Sequence, residues 1–498
     1  KTKEKGRDCM MKRWIAACML VLALMLAGCS RYEPSGEIER SVSGREASGI
    51  QKTEEAAYQT GDEESQTPAD SGEASEEIQG DAAGDPGQSG EEEPIIISTY
   101  PPRNPVKVKG IYVSAYVAGT EDRMNGIIEQ IDATELNAVV IDVKDDQGRI
   151  TFAMDSPTVN EIGAVQAFIG DMPGLIAKLK EHGIYPIARV VAFRDPYLAE
   201  QKPEWSLHKA DGSIYRDSQG LAWVNPYKKE VWDYLIEVAK KAGEIGFEEI
   251  QFDYIRFAVD STMRDVVYDE ADTRGRDKTQ AIMEFITYAY DQLAAEGLFV
   301  SADVFGTIIG SEEDAASVGQ DYRGMAEHLD YICPMIYPSH YGPGNFGIDY
   351  PDTQPYETVY QALLGSKSAL AAAQAGDAGQ AGSTAQAGDA GQPGTVRQPG
   401  EAARTEGAGQ AIVRPWLQDF TASYLDTYIE YGDDQVRRQI QAVYDAGYDE
   451  WILWDAGVSY HYGGLLTPEN AAIEEEQLRS EREAALRALP ETGAVPAQ

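Results

Sequence analysis

Two aspartates occupy similar positions in two apolar segments of this 498-residue sequence. Asp253 lies in Ile250-Gln-Phe-Asp-Tyr-Ile-Arg-Phe257, and Asp303 lies in Val300-Ser-Ala-Asp-Val-Phe-Gly306. Hydrolysis of a glycosidic bond needs two carboxyl groups, because one protonates the leaving oxygen while the other attacks the anomeric carbon or activates water. We therefore predict that Asp253 and Asp303 form the catalytic pair of a glycoside hydrolase.

The expected distance between these two carboxyl groups bears on the stereochemistry of the reaction. Neighbouring parallel strands lie about 4.7–4.9 Å apart, which is close to the carboxyl separation of roughly 5–5.5 Å in retaining enzymes. The tilt and depth of the side chains leave open the wider separation of an inverting enzyme. Alternatively, Asp253 forms a buried ion pair with an arginine.

Polar and aromatic residues near the predicted strand ends are candidates for substrate binding. Arginines can keep a neighbouring aspartate ionised, and aromatic faces pack against the C–H faces of a sugar ring. The predicted substrate-binding residues are Asp142, Arg189, Trp223, Tyr254, Arg256, Tyr337, His340 and Asp455. For Asp142 and Asp455 the alternative is a loop cap, and for each aromatic residue it is core packing.

The elements that must position these residues alternate between short apolar runs and longer amphipathic stretches. This order predicts an α/β fold, a (β/α)8 TIM barrel, in which catalytic residues lie at the carboxyl ends of the strands. The predicted strands are Val108–Ser114, Ala138–Val143, Tyr185–Val191, Glu249–Phe252, Phe299–Val304, Tyr331–Ile336, Ile412–Leu417 and Glu450–Trp454. The clearest predicted helices are Met172–His182, Pro226–Glu244, Lys278–Glu296 and Asp433–Ala446.

Two long connections lie on opposite faces of the predicted barrel. Ala192–Asn225 follows the third strand, so we expect it to overhang the active face. A low-complexity insertion of Ala, Gly and Gln at about 371–409 precedes the seventh strand. It should therefore lie on the other face, away from the site.

The amino-terminal segment has the features of an export signal. Lys12 and Arg13 precede an apolar run that ends in Leu26-Ala-Gly-Cys29, and such a run is typical of a signal peptide. The ending resembles a bacterial lipobox. This resemblance implies that residues 1–29 are a signal peptide and that Cys29 is lipidated, which anchors the protein at the extracellular face of the bacterial membrane.

The rest of the chain divides by composition. Residues 30–97 are rich in Glu, Asp, Gly and Ser, which predicts a disordered acidic linker. The barrel domain is expected at 98–485, followed by a tail at 486–498. Cys333 would be the one cysteine of the mature chain besides Cys29, and we expect it to be a buried thiol.

Composition also excludes several classes of function. The formal net charge of −41 at pH 7 argues against a nucleic-acid partner, because phosphate binding needs clustered Lys and Arg. The five histidines show no spacing typical of a metal site, and no nucleotide or dinucleotide fingerprint occurs in a convincing setting. We expect no metal and no cofactor, although a metal-dependent polysaccharide deacetylase remains an alternative.

Several motifs together resemble one known family, that of bacterial putative glycosyl hydrolases with a TIM-barrel domain, here in a lipoprotein form. The matching segments are Val108–Val113, Asn137–Asp146, Gly220–Tyr227, Phe247–Phe257, Ser301–Gly306 and Pro334–Pro338. The resemblance extends from about Val106 to Gly464 and implies catalytic roles for Asp253 and Asp303 on a carbohydrate substrate. The alternative is a non-catalytic glycan-binding or cell-envelope protein on the same scaffold.

Overall fold

Eight parallel strands close into a barrel in the computed structural model, which describes residues 100–259, 261–381 and 410–488. Each strand pairs with the next, and the last pairs with the first. The strands are β1 Lys109–Val113, β2 Ala138–Lys144, β3 Tyr185–Val191, β4 Glu249–Asp253, β5 Phe299–Phe305, β6 Tyr331–Ile336, β7 Trp416–Gln418 and β8 Trp451–Trp454. The predicted (β/α)8 fold is confirmed.

The strands form where they do because both of their faces are buried. All seven residues of β2 and all seven of β3 are buried, as expected for parallel strands that are covered by helices on one side and packed against the barrel interior on the other. One set of alternate residues, including Val139 and Ile141, contacts the helices, while Ala138 and Val140 pack inside the barrel. The interior set continues upward into the polar residues of the site.

A helix follows each strand and covers the barrel. These helices are α1 Glu121–Asp132, α2 Met172–Glu181, α3 Lys229–Glu244, α4 Lys278–Ala294, α5 Tyr322–Ala326, α6 Pro355–Ala381, α7 Asp433–Asp445 and α8 Pro468–Ala488. Side-chain caps fix some of the starts: Asp171 accepts a hydrogen bond from Gly174 N before α2, and Asp277 with Gln280 forms a capping box before α4.

Short elements lie in the connections that leave the carboxyl ends of the strands. The short α-helices are Ala115–Ala118, Pro157–Ile162, Pro196–Gln201, Glu270–Thr273 and Glu312–Val318, and the 3₁₀ turns are Pro203–Trp205, Ser261–Asp265, Gly306–Ile309, Pro338–His340, Asn345–Gly347, Pro351–Thr353 and Tyr462–Gly464. Ile150–Phe152 pairs antiparallel with β2 and parallel with Val165–Ile169. The long connection after β3 contributes His208–Lys209, which pairs with Val266–Val267 after β4. It therefore lies on the active face, over β3 and β4.

Two elements differ from the prediction by more than two residues at a boundary. The predicted seventh strand is two short strands, Ile412–Val413 and β7, which both pair with β6. Pro415 lies between them and has no amide hydrogen to donate, so the ladder is interrupted there. Helix α3 begins at Lys229 and not at Pro226, because Asn225 Oδ1 accepts a hydrogen bond from Tyr227 N and holds a turn there.

The low-complexity segment and the chain ends are only partly described. Residues 371–381 of the predicted insertion continue helix α6, and 382–409 lie outside the described residues. The predicted signal peptide, Cys29 and the acidic linker also lie outside them, and of the predicted tail only the last residues of α8 are described. Over the described ranges, no helix combines the length and the apolar character that a membrane span requires.

Candidate active site

The register between β4 and β5 places the two predicted catalytic aspartates side by side. Phe252 pairs with Ala302, so Asp253 and Asp303 follow at equivalent positions on neighbouring strands. Because Phe252 and Ala302 pack against the helices, the residues that come next along each strand face the barrel interior. Asp253 is 8% exposed and Asp303 is 2% exposed.

Asp253 is held by an arginine of the neighbouring strand β3. Its Oδ2 atom accepts hydrogen bonds from Nε and Nη2 of Arg189, at 3.0 and 2.6 Å. Its Oδ1 atom accepts one from the backbone nitrogen of Tyr254 at 2.6 Å. The buried ion pair considered from the sequence is therefore present.

Asp303 lies in a different environment. Burial raises the pKa of Asp303 well above its usual value, and the nearby charge of Asp253 raises it further. Its Oδ1 atom accepts a hydrogen bond from Nε1 of Trp416 in β7 at 2.6 Å. The two carboxyl groups therefore have different surroundings: Asp253 pairs with the Arg189 cation, whereas the pKa of Asp303 is raised, and acid–base hydrolysis needs such a contrast.

Arg189 also binds two aspartates at the end of β2. Its Nη1 atom donates to Asp142 Oδ1 at 2.7 Å, and its Nη2 atom donates to Asp146 Oδ1 at 3.3 Å. Asp142 is 4% exposed and accepts a further hydrogen bond from the Tyr112 hydroxyl at 2.6 Å. The structure therefore engages Asp142 with protein groups, although the sequence suggested a role in binding substrate.

Asp146 is a site residue that the sequence analysis did not select. Burial alone would raise its pKa, but the charges of Arg189 and Arg194 lower the pKa of Asp146 to about 2. Its side chain is 35% exposed, so it remains an accessible anion beside the catalytic pair. A signal was available, because Asp145 and Asp146 directly follow β2.

Aromatic residues of β7, β8 and β1 link Asp303 to the residues that hold Asp253. The ring of Trp416 lies 5.6 Å from that of Trp454 in β8, and Trp454 lies 4.3 Å from Tyr112 in β1. Tyr112 then bonds Asp142, which bonds Arg189. Trp454 is partly exposed, so its ring contributes an apolar surface to the mouth of the barrel.

Tyr254 and Arg256 follow Asp253 within three residues. Tyr254 has a φ of 51°, a left-handed conformation that is rare for a residue with a side chain. The guanidinium of Arg194 lies 3.7 Å from its ring centre, and that of Arg256 lies 5.0 Å from it and 4.5 Å from the ring of Phe305. Burial lowers the pKa of Arg256 to about 10, so Arg256 remains a cation at neutral pH.

Trp223 supports this cluster from within the protein. Its indole is 2% exposed and donates a hydrogen bond to Asp217 at 2.9 Å. Its ring lies 6.0 Å from Tyr254 and 5.2 Å from the guanidinium of Arg256. Trp223 therefore positions residues of the site and does not present an open face to a ligand.

The remaining predicted residues lie around the other side of the mouth. Burial raises the pKa of Tyr337, and the carboxyl groups of Asp303 and Asp253 raise it further. His340 packs 4.9 Å from the Tyr337 ring, and burial lowers the pKa of His340 to about 4, which keeps it neutral. Asp455 accepts a hydrogen bond from Ser459 N at 2.8 Å and thus caps the loop after β8.

A buried aspartate clamps a histidine at the ends of β7 and β8. Asp419 is 1% exposed, and its two oxygens accept hydrogen bonds from Nδ1 and the backbone nitrogen of His461. Burial raises the pKa of Asp419 to about 6. The imidazole is fixed at its Nδ1 edge, so Nε2 points away from Asp419. Both residues follow predicted strands, but their pairing depends on the barrel bringing the two loops together.

In the described ranges, no group of three or more His, Cys, Asp or Glu residues is arranged to hold a metal ion.

Residues 110–378 and 392–460 match the family model described as a putative glycosyl hydrolase domain. The chain belongs to this family. The match contains the site residues described above from Tyr112 to Asp455, and His461 lies one residue beyond its end.

Solved structures give three further comparisons. A hypothetical protein from Ruminiclostridium thermocellum is 38% identical over 39% of this chain and 97% of its own, with a TM-score of 0.36. The PgaB glycoside hydrolase domain from Bordetella bronchiseptica is 11% identical over 70% of this chain and 94% of its own, with a TM-score of 0.43. An α-galactosidase from Thermus thermophilus is 12% identical over 76% of this chain and 63% of its own, with a TM-score of 0.40. The search of curated proteins gave no match.

Proposed function

We propose that the protein hydrolyses glycosidic bonds of an extracellular polysaccharide or oligosaccharide, with Asp303 as the general acid and Asp253 as the nucleophile or base. The observation that carries this proposal is the contrast between two neighbouring carboxyl groups. Asp253 is bound by the buried Arg189 cation, whereas burial and the charge of Asp253 raise the pKa of Asp303. Membership of a glycosyl hydrolase family agrees with it.

The contacts of each carboxyl group assign its atoms to steps of the reaction. Trp416 occupies Oδ1 of Asp303, so Oδ2 is available to donate its proton to the leaving glycosidic oxygen. Oδ2 of Asp253 accepts two hydrogen bonds from Arg189, so Oδ1, which accepts one from the backbone nitrogen of Tyr254, is the atom that approaches the anomeric carbon. Adjacent strands, about 4.7–4.9 Å apart, suit a retaining reaction, in which the ionised Asp303 then removes a proton from the attacking water.

Hydrolysis of defined glycans tests this function. The protein would be incubated with labelled bacterial exopolysaccharides, α-glucans and peptidoglycan fragments, and new reducing ends would be measured. Wild type should cleave at least one of them, while Asp253→Asn should bind the same glycan without cleaving it. Equal turnover by both proteins would refute the assignment. Binding by both without turnover would instead identify a glycan-binding or cell-envelope protein on this scaffold.

The amino-terminal sequence supports an anchored location for this activity. Lys12, Arg13, the apolar run and Leu26-Ala-Gly-Cys29 have the order of a lipoprotein signal, so the barrel is displayed outside the bacterial membrane on an acidic linker. Cys29→Ala should move the protein from the membrane fraction to the soluble fraction. The domain-level activity should not change, because Cys29 precedes the barrel by some eighty residues. Retention of Cys29→Ala in membranes would contradict the anchor.

A further inference from the structure

Exposed aromatic side chains are distributed unevenly over the described part of the chain. Five are exposed by 37% to 60%: Tyr116, Phe168, Phe346, Tyr350 and Tyr428. All five lie on connections that run from the carboxyl end of a strand to the next helix. The other large exposed hydrophobic residues in these ranges, Val267, Ile412 and Ile473, are aliphatic. The aromatic exposure is therefore confined to the face that carries the candidate active site.

These five residues also share one half of that face. Tyr116 follows β1, Phe168 follows β2, Phe346 and Tyr350 follow β6, and Tyr428 follows β7. Between them lie β8 and its partly exposed Trp454, whereas β3 and β4 are covered by the paired connections at His208–Lys209 and Val266–Val267. The open half from β6 to β2 spans four strand spacings, or roughly 19 Å of the barrel circumference.

The backbone at Phe346 gives a second, independent indication. Phe346 has a φ of 55°, in the left-handed region, yet its side chain is 44% exposed. Its ring packs 5.1 Å from that of Tyr341, which fixes its orientation. Left-handed backbone at residues other than glycine clusters at active sites, ligand clamps and switch regions.

We infer that these five residues form an aromatic rim that binds an extended glycan chain, so that the protein acts within polymers and not only on short oligosaccharides. The glycan class rests on the proposed function. Aromatic faces suit sugar rings because they offer a flat apolar surface that does not need a fixed pattern of hydrogen bonds. Trp454 connects this half of the face to Asp303, because its ring lies 5.6 Å from that of Trp416, which donates a hydrogen bond to Asp303.

Binding in the absence of turnover tests the rim. The protein carrying Asp253→Asn would be run in native gels that contain soluble α-glucan, bacterial exopolysaccharide or peptidoglycan glycan strands. Two double variants, Tyr116→Ala/Phe168→Ala and Phe346→Ala/Tyr350→Ala, should each bind the retarding polymer roughly tenfold more weakly. Ile473→Ala, which removes an equally exposed side chain from α8, should bind as its parent does. Unchanged retardation of both double variants, or no retardation of the parent by any polymer, would overturn the rim.

Hydrolysis separates the rim from the catalytic proposal. With Asp253 intact, the double variants should lose roughly tenfold in kcat/KM on the polymer but remain within about twofold of wild type on a trisaccharide of the same linkage. Equal losses of kcat/KM on the polymer and on the trisaccharide would contradict the rim. They would not contradict the proposal that the protein is a hydrolase. If the single variant Asp253→Asn still hydrolysed the substrate, the assignment of the catalytic pair would be wrong. The proposal that the rim binds polymers would not be affected. Because the five side chains are exposed, their replacement by alanine should leave Tm unchanged. Measurement of Tm therefore verifies that the variants fold.

Discussion

At the scale of single residues, the two catalytic candidates have the same chemistry and opposite surroundings. Arg189 reaches Asp253 directly, whereas the indole of Trp416 is the hydrogen-bond donor that reaches Asp303. Two adjacent carboxyl groups cannot both ionise at little cost, so the arginine decides which of them holds the charge. The proposed roles of acid and nucleophile therefore rest on side chains of strands β3 and β7, and not on the two aspartates themselves.

The raised pKa of Asp303 predicts how activity depends on pH. The proposed reaction needs Asp303 protonated, so kcat should fall as pH rises through the raised pKa of this carboxyl. Asp303→Asn should lower kcat by about 10²- to 10⁴-fold and remove this alkaline limb. The measurement is a pH–rate profile of both proteins on a natural glycoside.

A substrate with a good leaving group provides the control for Asp303. A nitrophenyl glycoside needs little protonation of its leaving oxygen, so Asp303→Asn should retain much more of its activity on it. An equal loss on both substrates would show that Asp303 is not the acid.

Arg189 should also be essential for stability. It is 1% exposed and binds Asp142, Asp146 and Asp253, so Arg189→Met would leave buried carboxylates without a counter-charge. Breaking a buried pair in this way lowers the free energy of unfolding by about 3–5 kcal/mol. Chemical denaturation measures the change. Arg216→Ala removes an exposed pair with Glu200 and should cost less than about 1 kcal/mol; similar effects of the two substitutions would contradict the role of Arg189.

At the scale of elements, the strands could be predicted because each is an apolar run of suitable length, buried on both faces. The seventh was misjudged because Pro415 splits it, and Ile412 and Leu417 do not belong to one continuous ladder. The sequence also placed Asp253 and Asp303 on adjacent strands, since only the order of strands was needed. It did not pair Asp419 with His461, because that contact depends on how two loops fold over β7 and β8.

The clamp between these two loops predicts a binding role for His461. Tyr460 donates a hydrogen bond to the carbonyl oxygen of Tyr112 at 2.6 Å, and Asp419 N donates to the carbonyl oxygen of Trp454 at 3.0 Å, so both loops are tied to these aromatic residues of β1 and β8. His461→Ala should raise KM about tenfold with little change in kcat. The reason is that the hydrogen bond lost, from Nε2 of His461 to the sugar, would stabilise bound substrate and transition state equally. Asp419→Asn should have a smaller effect in the same direction. A fall in kcat with unchanged KM would show that His461 acts in the chemical step instead.

At the scale of the whole molecule, the described residues that flank the low-complexity segment lead away from the site and return to the sheet at the opposite end of β6. Helix α6 leads away from the carboxyl end of β6, and the chain re-enters the sheet at Ile412, which pairs with Tyr331 at the start of β6. Gln410 Nε2 donates a hydrogen bond to the carbonyl oxygen of Leu370 at 3.3 Å, so the chain on either side of residues 371–409 meets at one point. A short connection can therefore replace the segment without moving a strand.

Replacement of residues 373–408 by a four-residue Gly-Ser linker should leave kcat/KM on a polymer within about twofold of wild type, since no site residue lies on that face. Closing a shorter loop costs less entropy. The replacement shortens this connection by about three successive halvings, which should raise the free energy of unfolding by about 1–2 kcal/mol. The same linker placed across 196–222 is the matched comparison, because that connection carries Asp217 and lies over β3 and β4 on the active face. There, activity should fall by at least tenfold through the loss of support for Tyr254 and Arg256. If the first replacement abolished turnover while the second did not, the assignment of the two faces would be reversed.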